Sequence, residues 1–402
     1  MTSLAPDPLG HPRLRIGIVS VEFFDLKSGQ MGGFGWATQQ LAGFFQNRPE
    51  LGVEIVFLPA TPFTGQGEPP ASIRGVRTIW RRGGAWRSWQ ALRREKLDLL
   101  ISIDYQTPYL KTFLALPRTP IVVWVRDPWS PADKAKLDTL RLPGLPDTRP
   151  AGLFYYDYRN FRRIWQLGRL TRRRIVFGTT SPPLGDKIEP TFGIRPKEVV
   201  LLPNILTLTS DGGPRHPRPL VVFLARLDPV KRPWLALELA RRVPEAEFWL
   251  LGKNHFQGKP GGWDQSESSL LPPNIRFLGH VGEEEKRRIL SRAWVLLNTS
   301  IHEGLAVSFQ EALACGVPLL STVDMEDIAA RFGIFVGAEP GDGSAALPRL
   351  ETGLRTLLAD DARRLQLGEA GRAWVTARHN ATEFWKSFCQ LAASAGVHLP
   401  VQ

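Results

Sequence analysis

The chain of 402 residues is 43% apolar and 22% charged, a globular composition too long for one ordinary core, so two domains are expected. Fifty-one Lys and Arg against 39 acids leave a net charge of +12, which favours acidic partners such as nucleotides, nucleic acid or anionic lipid headgroups. Only Cys315 and Cys389 are present, far apart, which argues against a disulfide framework and for a reducing compartment, and no apolar run reaches the roughly 18 residues that would span a membrane.

Residues 1–13 read as a loose leader, and Ile16–Val21, ending at Glu22, is too short for a signal peptide. Leu14–Val21 predicts a buried first strand, followed by the glycine-rich loop Gly29–Gly35 and a helix from near Trp36 through Leu41, Phe44 and Phe45. Strand, glycine loop and helix bring backbone amides up to a phosphate, although glycines at such turns equally serve packing. Further strands are predicted at Val53–Leu58, Leu97–Ile103, Ile121–Val125, Ile175–Gly178 and Val199–Leu202, alternating with helical or irregular stretches as in a doubly wound parallel sheet. Thr61–Pro70 and Leu142–Pro150 read as loops.

The segment Thr207–Pro219 reads as a linker. A second series then begins, with strands at Leu220–Leu224, Ala246–Leu251, Ile275–Leu278 and Trp294–Asn298 and helices at Pro233–Arg242 and Glu283–Ala293. Two such domains facing each other would hold a ligand in a central cleft, at the carboxyl ends of their strands.

Arg226 and Lys231 follow the strand Leu220–Leu224. They form either a fork and a point charge that clamp a diphosphate, or an exposed basic loop. Glu303 lies beside Gly304 and Leu305, ahead of a helix predicted over Val307–Ala314. Phe309, Ala312 and Leu313 give that helix its apolar face, and Gly316-Val317-Pro318 ends it. Amides near Ala306, Val307 and Ser308 suit a phosphate, and Glu311 leans back toward the same helix end. Two carboxylates beside an anion suit the neutral hydroxyls attached to it, so the pattern points to a sugar, a diphosphate and a second sugar or ribose in one pocket. A solvated Glu311 on an amphipathic helix fits the same spacing.

Taken in order, RLDPVKRP, LLGK, NIRFLGHV and EGLAVSFQEALACGVPLLST resemble the nucleotide-sugar-binding domain of glycosyltransferase family four, strongly from about Leu220 to Thr322 and more weakly in the N-terminal half. The resemblance implies an α/β GT-B fold of two Rossmann-like, doubly wound domains facing a central cleft. Residues 1–206 would form the acceptor-side domain, 207–381 the nucleotide-sugar-binding domain, and 382–402 a helix returning to the first. It implies that Glu303 holds hydroxyls of the donor sugar, Glu311 the ribose, and Arg226 and Lys231 the diphosphate. Gly33 would sit against the phosphates and Gly279-His280-Val281 against the base. The implied activity moves a hexose-type sugar from a nucleotide-diphosphate sugar to a glycan, glycolipid or lipid-linked acceptor. Configuration is retained through front-side attack assisted by the departing phosphate, which needs no enzymatic nucleophile. The chain has no Asp-x-Asp motif, so no metal and no cofactor are expected, and Arg226, Lys231 and the helix start at Ala306–Ser308 would stabilise the leaving group.

The chain departs from the family pattern where Arg126-Asp127 replaces a His-Asp pair. An arginine is no base at neutral pH. Arg126 is then left to orient the acceptor electrostatically, and Asp127 and Asp104 are the nearest alternative bases, with loop capping as the other reading of both acids. Thr299-Ser300 stands for a common Pro-Ser, and Val323-Asp324-Met325-Glu326 for common glycines, which leaves the donor sugar open.

The stretches Arg74–Lys96 and Tyr155–Arg174 are basic and aromatic together, which suits an anionic membrane surface, base stacking on nucleic acid, or a solvated helix face. Peripheral docking is expected, at the cytoplasmic face of a membrane. Two rivals are a non-catalytic GT-B protein that binds a nucleotide sugar and a nucleic-acid-binding protein. The second leaves Glu303 and Glu311 unexplained, so no nucleic-acid partner is expected. Ala362–Leu391 reads as helical, with Trp374, Phe384, Trp385 and Phe388 marking an apolar face, and the resemblance makes Thr382–Leu391 the returning segment.

Overall fold

The computed structural model describes residues 14–23, 32–61, 63, 67–80, 85–144, 150, 158, 160–206, 214–256 and 271–399. The expected leader, the start of the glycine loop, residues 207–213 of the linker, and Arg81, Arg82 and Arg159 lie outside them. The chain divides into two units, one of residues 1–128, 156–205 and 379–402, the other of residues 129–155 and 206–378.

Apolar β-branched runs and amphipathic stretches alternate through the first unit. In chain order it has β1 (Leu14–Ser20), α1 (Gly33–Gln46), β2 (Val53–Pro59), β3 (Ser72–Ile73), β4 (Val76–Thr78), α2 (Ala85–Arg94), β5 (Leu99–Ile103), α3 (Leu110–Ala115) and β6 (Ile121–Val125). The next helix, α4 (Pro131–Asp138), belongs to the second unit; α5 (Phe161–Leu170), β7 (Ile175–Thr179), α6 (Pro182–Asp186), α7 (Ile188–Phe192) and β8 (Val199–Leu201) complete the first sheet. Its strand order is β3-β4-β2-β1-β5-β6-β7-β8, parallel except for the β3–β4 hairpin. The hairpin escapes prediction because two and three residues show no alternation; Arg74 (φ 46°) and Gly75 (φ 80°) turn it. The central strands β5 and β6, Leu-Leu-Ile-Ser-Ile and Ile-Val-Val-Trp-Val, are buried at every residue, as parallel strands covered on both faces must be.

The second unit continues with β9 (Leu220–Leu224), α8 (Trp234–Arg242), β10 (Glu247–Leu251), β11 (Ile275–Gly279), α9 (Glu283–Arg292), β12 (Val295–Asn298), α10 (Val307–Ala314), β13 (Leu319–Ser321), α11 (Ile328–Arg331), β14 (Gly333–Phe335), α12 (Leu347–Ala359) and α13 (Asp361–Arg378). Its order is β11-β10-β9-β12-β13-β14, all parallel. Helix α10 has the bounds its apolar spacing predicts, and Gly316 follows it at φ 65°.

The stretch expected as helical over Ala362–Leu391 forms two helices, α13 and α14 (Ala381–Ser394). Asn380 caps the new start by accepting the Glu383 amide at 2.9 Å, and buried His379 accepts the Asn204 amide on Nδ1 at 3.1 Å. Within the first unit α14 packs on α1, with Phe44 and Phe384 centroids 5.0 Å apart and Phe45 and Phe388 5.7 Å apart. One feature differs from the sequence reading: α4 follows β6 in sequence yet packs with the later residues. A Ser130–Asp133 capping box starts it, Asp133 Oδ1 lies 3.4 Å from His302 Nδ1, the Trp129 ring lies edge-on to His302 at 5.5 Å, and Leu142 enters the core of the second unit.

Candidate active site

In an open parallel sheet a ligand site forms where the strand order reverses. In the second unit that point lies between β9 and β12, and both loops there carry charged residues. After β9, Asp228 caps the short turn Pro229–Lys231, accepting the Lys231 amide at 3.2 Å. After β12, the chain delivers Glu303. The structure brings these loops together: Lys231 Nζ is 2.7 Å from Glu303 Oε2, while Glu303 Oε1 accepts from Ser300 Oγ at 2.7 Å and Asn298 Nδ2 at 3.1 Å. Burial pushes the Glu303 carboxyl up, but the Lys231 charge and the three donors outweigh it and hold the group below its ordinary value. The pair is therefore an oriented carboxylate against a nearly buried ammonium.

Arg226 does not join this pair directly. Its Nε lies 3.4 Å from Asp228 Oδ2, and its side chain is half exposed. The basic loop expected from RLDPVKRP is thus split among three environments, because the third cation, Arg232, is fully buried. With φ 47°, Arg232 donates to the carbonyls of Thr299 (2.7 Å), Glu339 (2.6 Å) and Ser300 (3.0 Å) and to Thr322 Oγ1 (3.4 Å). Burial draws its pKa down to about 10, which leaves it charged at neutral pH. It ties the loops after β9, β12 and β13 together behind Lys231 and Glu303. A lysine at this position reaches fewer of the four acceptors, so Arg232→Lys is expected to cost about 1–3 kcal/mol in a denaturant melt.

Glu311 lies on α10 and forms an ion pair, 2.6 Å from Lys286 Nζ on α9, which also meets Glu283 at 2.9 Å. Burial raises the Glu311 carboxyl above its ordinary value against the pull of Lys286. Burial also opposes the Lys286 charge, but the two carboxylates prevail and its pKa is raised. Lys286, Ser300, Asn298 and Asp228 are additions to the sequence reading. Lys286 stands 25 residues from Glu311, and only the packing of α9 on α10 joins them. At the start of α10 no side chain caps the helix and no acid stands in its first turn, so the amides of Val307 and Ser308 keep their anion-binding capacity. Gly304, Leu305 and Ala306 are buried between Glu303 and this helix end. Gly279, at φ 65°, gives its carbonyl to the Gly252 amide at 2.7 Å; His280 is exposed and Val281 partly so.

In the first unit the order reverses between β1 and β5. The glycine loop there does not present all its amides: Glu22 Oε2 accepts from Gly32 at 2.9 Å and Gly35 at 3.1 Å, supplying the cap that a glycine cannot. Gly33 itself opens onto space, with nothing within 4 Å of where a Cβ would stand. Past β5 and β6 the structure brings Asp104, Arg126 and Asp127 together. Asp104, at φ 54° and buried, accepts the amides of Asp127 at 2.8 Å and Arg126 at 3.3 Å on Oδ2. Its Oδ1 has no hydrogen-bond partner among the described residues, and burial raises the carboxyl to about 7. Arg126 is buried over the Trp124 ring at 4.6 Å and donates to Asn204 Oδ1 at 2.6 Å; burial lowers its pKa to about 10. Asp127 keeps a partly exposed side chain.

Among the described residues no three His, Cys, Asp or Glu side chains form a group that would hold a metal ion, and no helix is long and apolar enough to cross a membrane. Residues 207–374 match the family model described as Glycosyl transferases group 1. No curated protein matches the chain. Similar solved structures include sucrose-phosphate synthase from Thermosynechococcus elongatus, with 15% identity and a TM-score of 0.67 over 95% of this chain and 100% of that one. HepE of Anabaena, solved with UDP-glucose, gives 14% identity and a TM-score of 0.63 over 95% and 100%. The pneumococcal O-GlcNAc transferase GtfA, solved with UDP and GlcNAc, gives 13% and 0.65 over 96% and 99%. The two parallel-sheet, Rossmann-like units have the GT-B fold.

Proposed function

We propose that the protein is a retaining, metal-independent glycosyltransferase of family four. It transfers a hexose-type sugar from a nucleotide-diphosphate sugar to a glycan, glycolipid or lipid-linked acceptor. The observation that carries this is the pairing of Lys231 with a Glu303 carboxylate fixed by Ser300 and Asn298, at the strand-order reversal of the matched region and ahead of the open start of α10.

In this reading Glu303 accepts hydroxyls of the donor sugar and Glu311, oriented by Lys286, those of the ribose. Gly279, His280 and Val281 line the base. Lys231, Arg226 and the amides of Val307 and Ser308 receive the diphosphate. As the bond from the anomeric carbon to the diphosphate oxygen breaks, charge grows on the leaving group where these fixed cations and amides stand. The acceptor oxygen bonds the same carbon from the same face, and its proton passes to the departing phosphate. Asp127, the candidate base on the acceptor side, accepts a hydrogen bond that orients the acceptor hydroxyl in this step, with Asp104 and Arg126 behind it. The free thiols Cys315 and Cys389 support a reducing, cytoplasmic setting.

The burial of Arg126, at the position a base holds in relatives, favours a second reading in which the chain binds a nucleotide sugar without turning it over. Thermal-shift titration with UDP-, GDP- and ADP-hexoses, followed by assay of released nucleotide, separates the two. Saturation at about 100 times the dissociation constant is expected to stabilise the protein by about 2.7 kcal/mol. Glu311→Ala is expected to remove that shift, and absence of any shift in the wild type overturns both readings.

A further inference from the structure

Four of the six exposed large apolar side chains among the described residues gather on three helices of the first unit: Trp86 (64% exposed) on α2, Leu114 (48%) on α3, and Leu167 (36%) and Leu170 (82%) on α5. The three helices pack side by side, α2 on α3 and α3 on α5. They carry no acidic residue, while Arg93, Arg94, Lys111, Arg162, Arg163 and Arg169 stand exposed along them. Exposed apolar side chains this concentrated mark a contact surface.

Two of the three helices are tied together by hydrogen bonds. Buried Arg173, after α5, donates to the Thr119 carbonyl at 2.9 Å, to that of Phe113 at 2.8 Å and to that of Leu116, and Thr171 Oγ1 donates to the Pro117 carbonyl at 3.0 Å, so the end of α3 is bound to the end of α5. On α2, Trp86 stacks on Trp89 at 4.6 Å, with the Arg93 guanidinium 4.6 Å from the Trp89 ring.

We infer that the α2–α3–α5 face of the first unit docks on an anionic lipid bilayer, with Trp86, Leu114, Leu167 and Leu170 entering the headgroup boundary and the flanking arginines meeting lipid phosphates. The chemistry selects a bilayer over a polynucleotide. Three of the four apolar groups are leucines, which have no face for a base to stack on but partition into the acyl boundary, and cations without acids complement anionic headgroups. The inference deepens the acceptor side of the proposed function by placing the enzyme on the surface that carries a lipid-linked acceptor, and its test is independent of transfer.

The full chain is floated with vesicles of phosphatidylcholine alone and with added phosphatidylglycerol, at low and high salt. Binding is expected only with the anionic lipid and is expected to fall as salt rises. Leu167→Ser with Leu170→Ser, and separately Arg162→Gln with Arg163→Gln, are each expected to weaken partitioning on the order of tenfold. These positions are exposed, so melting temperatures stay unchanged, and the nucleotide-sugar thermal shift of the same variants reports separately on the donor site. No binding to anionic vesicles at low salt overturns the inference. So does unaltered binding by the leucine variant, or capture of a single-stranded oligonucleotide in place of vesicles.

Discussion

Replacing Asp104 by Asn is expected to gain about 4 kcal/mol of stability relative to the wild type as the pH rises from about 4 to about 8. The Asp104 carboxyl has its pKa raised from 3.8 to about 7, with burial the largest cause and the nearby Asp127 charge adding to it, against the amides of Asp127 and Arg126 and the Arg126 charge. A raised carboxyl stabilises the fold fully below its unfolded pKa, because the native state holds the proton more tightly. That contribution is lost as pH climbs toward about 7. At about 1.4 kcal/mol for each pH unit, the loss sums to about 4 kcal/mol. Asparagine keeps an oxygen for the two amides and never ionises, but it leaves an amide N–H group buried where Oδ1 stood, a fixed cost of about 1–3 kcal/mol. The variant should therefore melt below the wild type near pH 4 and level with or above it near pH 8, the difference moving on the order of 10 °C. Glu311, also raised, and Glu303, lowered, titrate alike in both proteins and cancel in the difference. Parallel melting curves across that range sink the assignment of a protonated Asp104.

The two-sheet fold was legible because its signals are local. Continuous apolar runs mark β5, β6 and β9, and Gly316-Val317-Pro318 ends α10 where its spacing says. The carboxylates Glu303 and Glu311 were legible as a pair for the same reason, since only seven residues and a helix start separate them. Their partners were not. Lys286 lies on another helix, and Asn298 and Ser300 look like ordinary strand-end polar residues until the loop folds back on Glu303. In RLDPVKRP three cations look equivalent, whereas Arg226 is half exposed, Lys231 nearly buried against Glu303 and Arg232 wholly enclosed by carbonyls. Burial of an arginine depends on four acceptors spread from Thr299 to Glu339, which no local pattern encodes. The same holds for α4, whose tie to the second unit runs through Asp133 and His302.

Lys231→Ala is expected to lower kcat by about 100- to 1,000-fold, the effect of deleting one preorganised donor to a developing charge and equivalent to about 2.7–4 kcal/mol of transition-state stabilisation. Solvent does not readily replace it, because the Lys231 side chain is 16% exposed and that of Glu303 12%. The substitution also frees Glu303 from its main counter-charge. Burial is the largest influence on that carboxyl and pushes it upward, with the Lys231 ammonium the chief force holding it down. Without the lysine its pKa is expected to rise above the ordinary carboxylate range, so the residual activity should fall on the acid side at a higher pH than in the wild type. Lys231→Arg restores the charge on a different shape and is expected to correct the pH profile more fully than kcat. Arg226→Ala provides the contrast: its side chain is 46% exposed against Asp228 at 3.4 Å, so water and salt already screen it and a loss nearer tenfold is expected. A Lys231→Ala enzyme with wild-type kcat, or one with low kcat and an unmoved acid limb, would separate Lys231 from the charge of the leaving group or from Glu303 respectively.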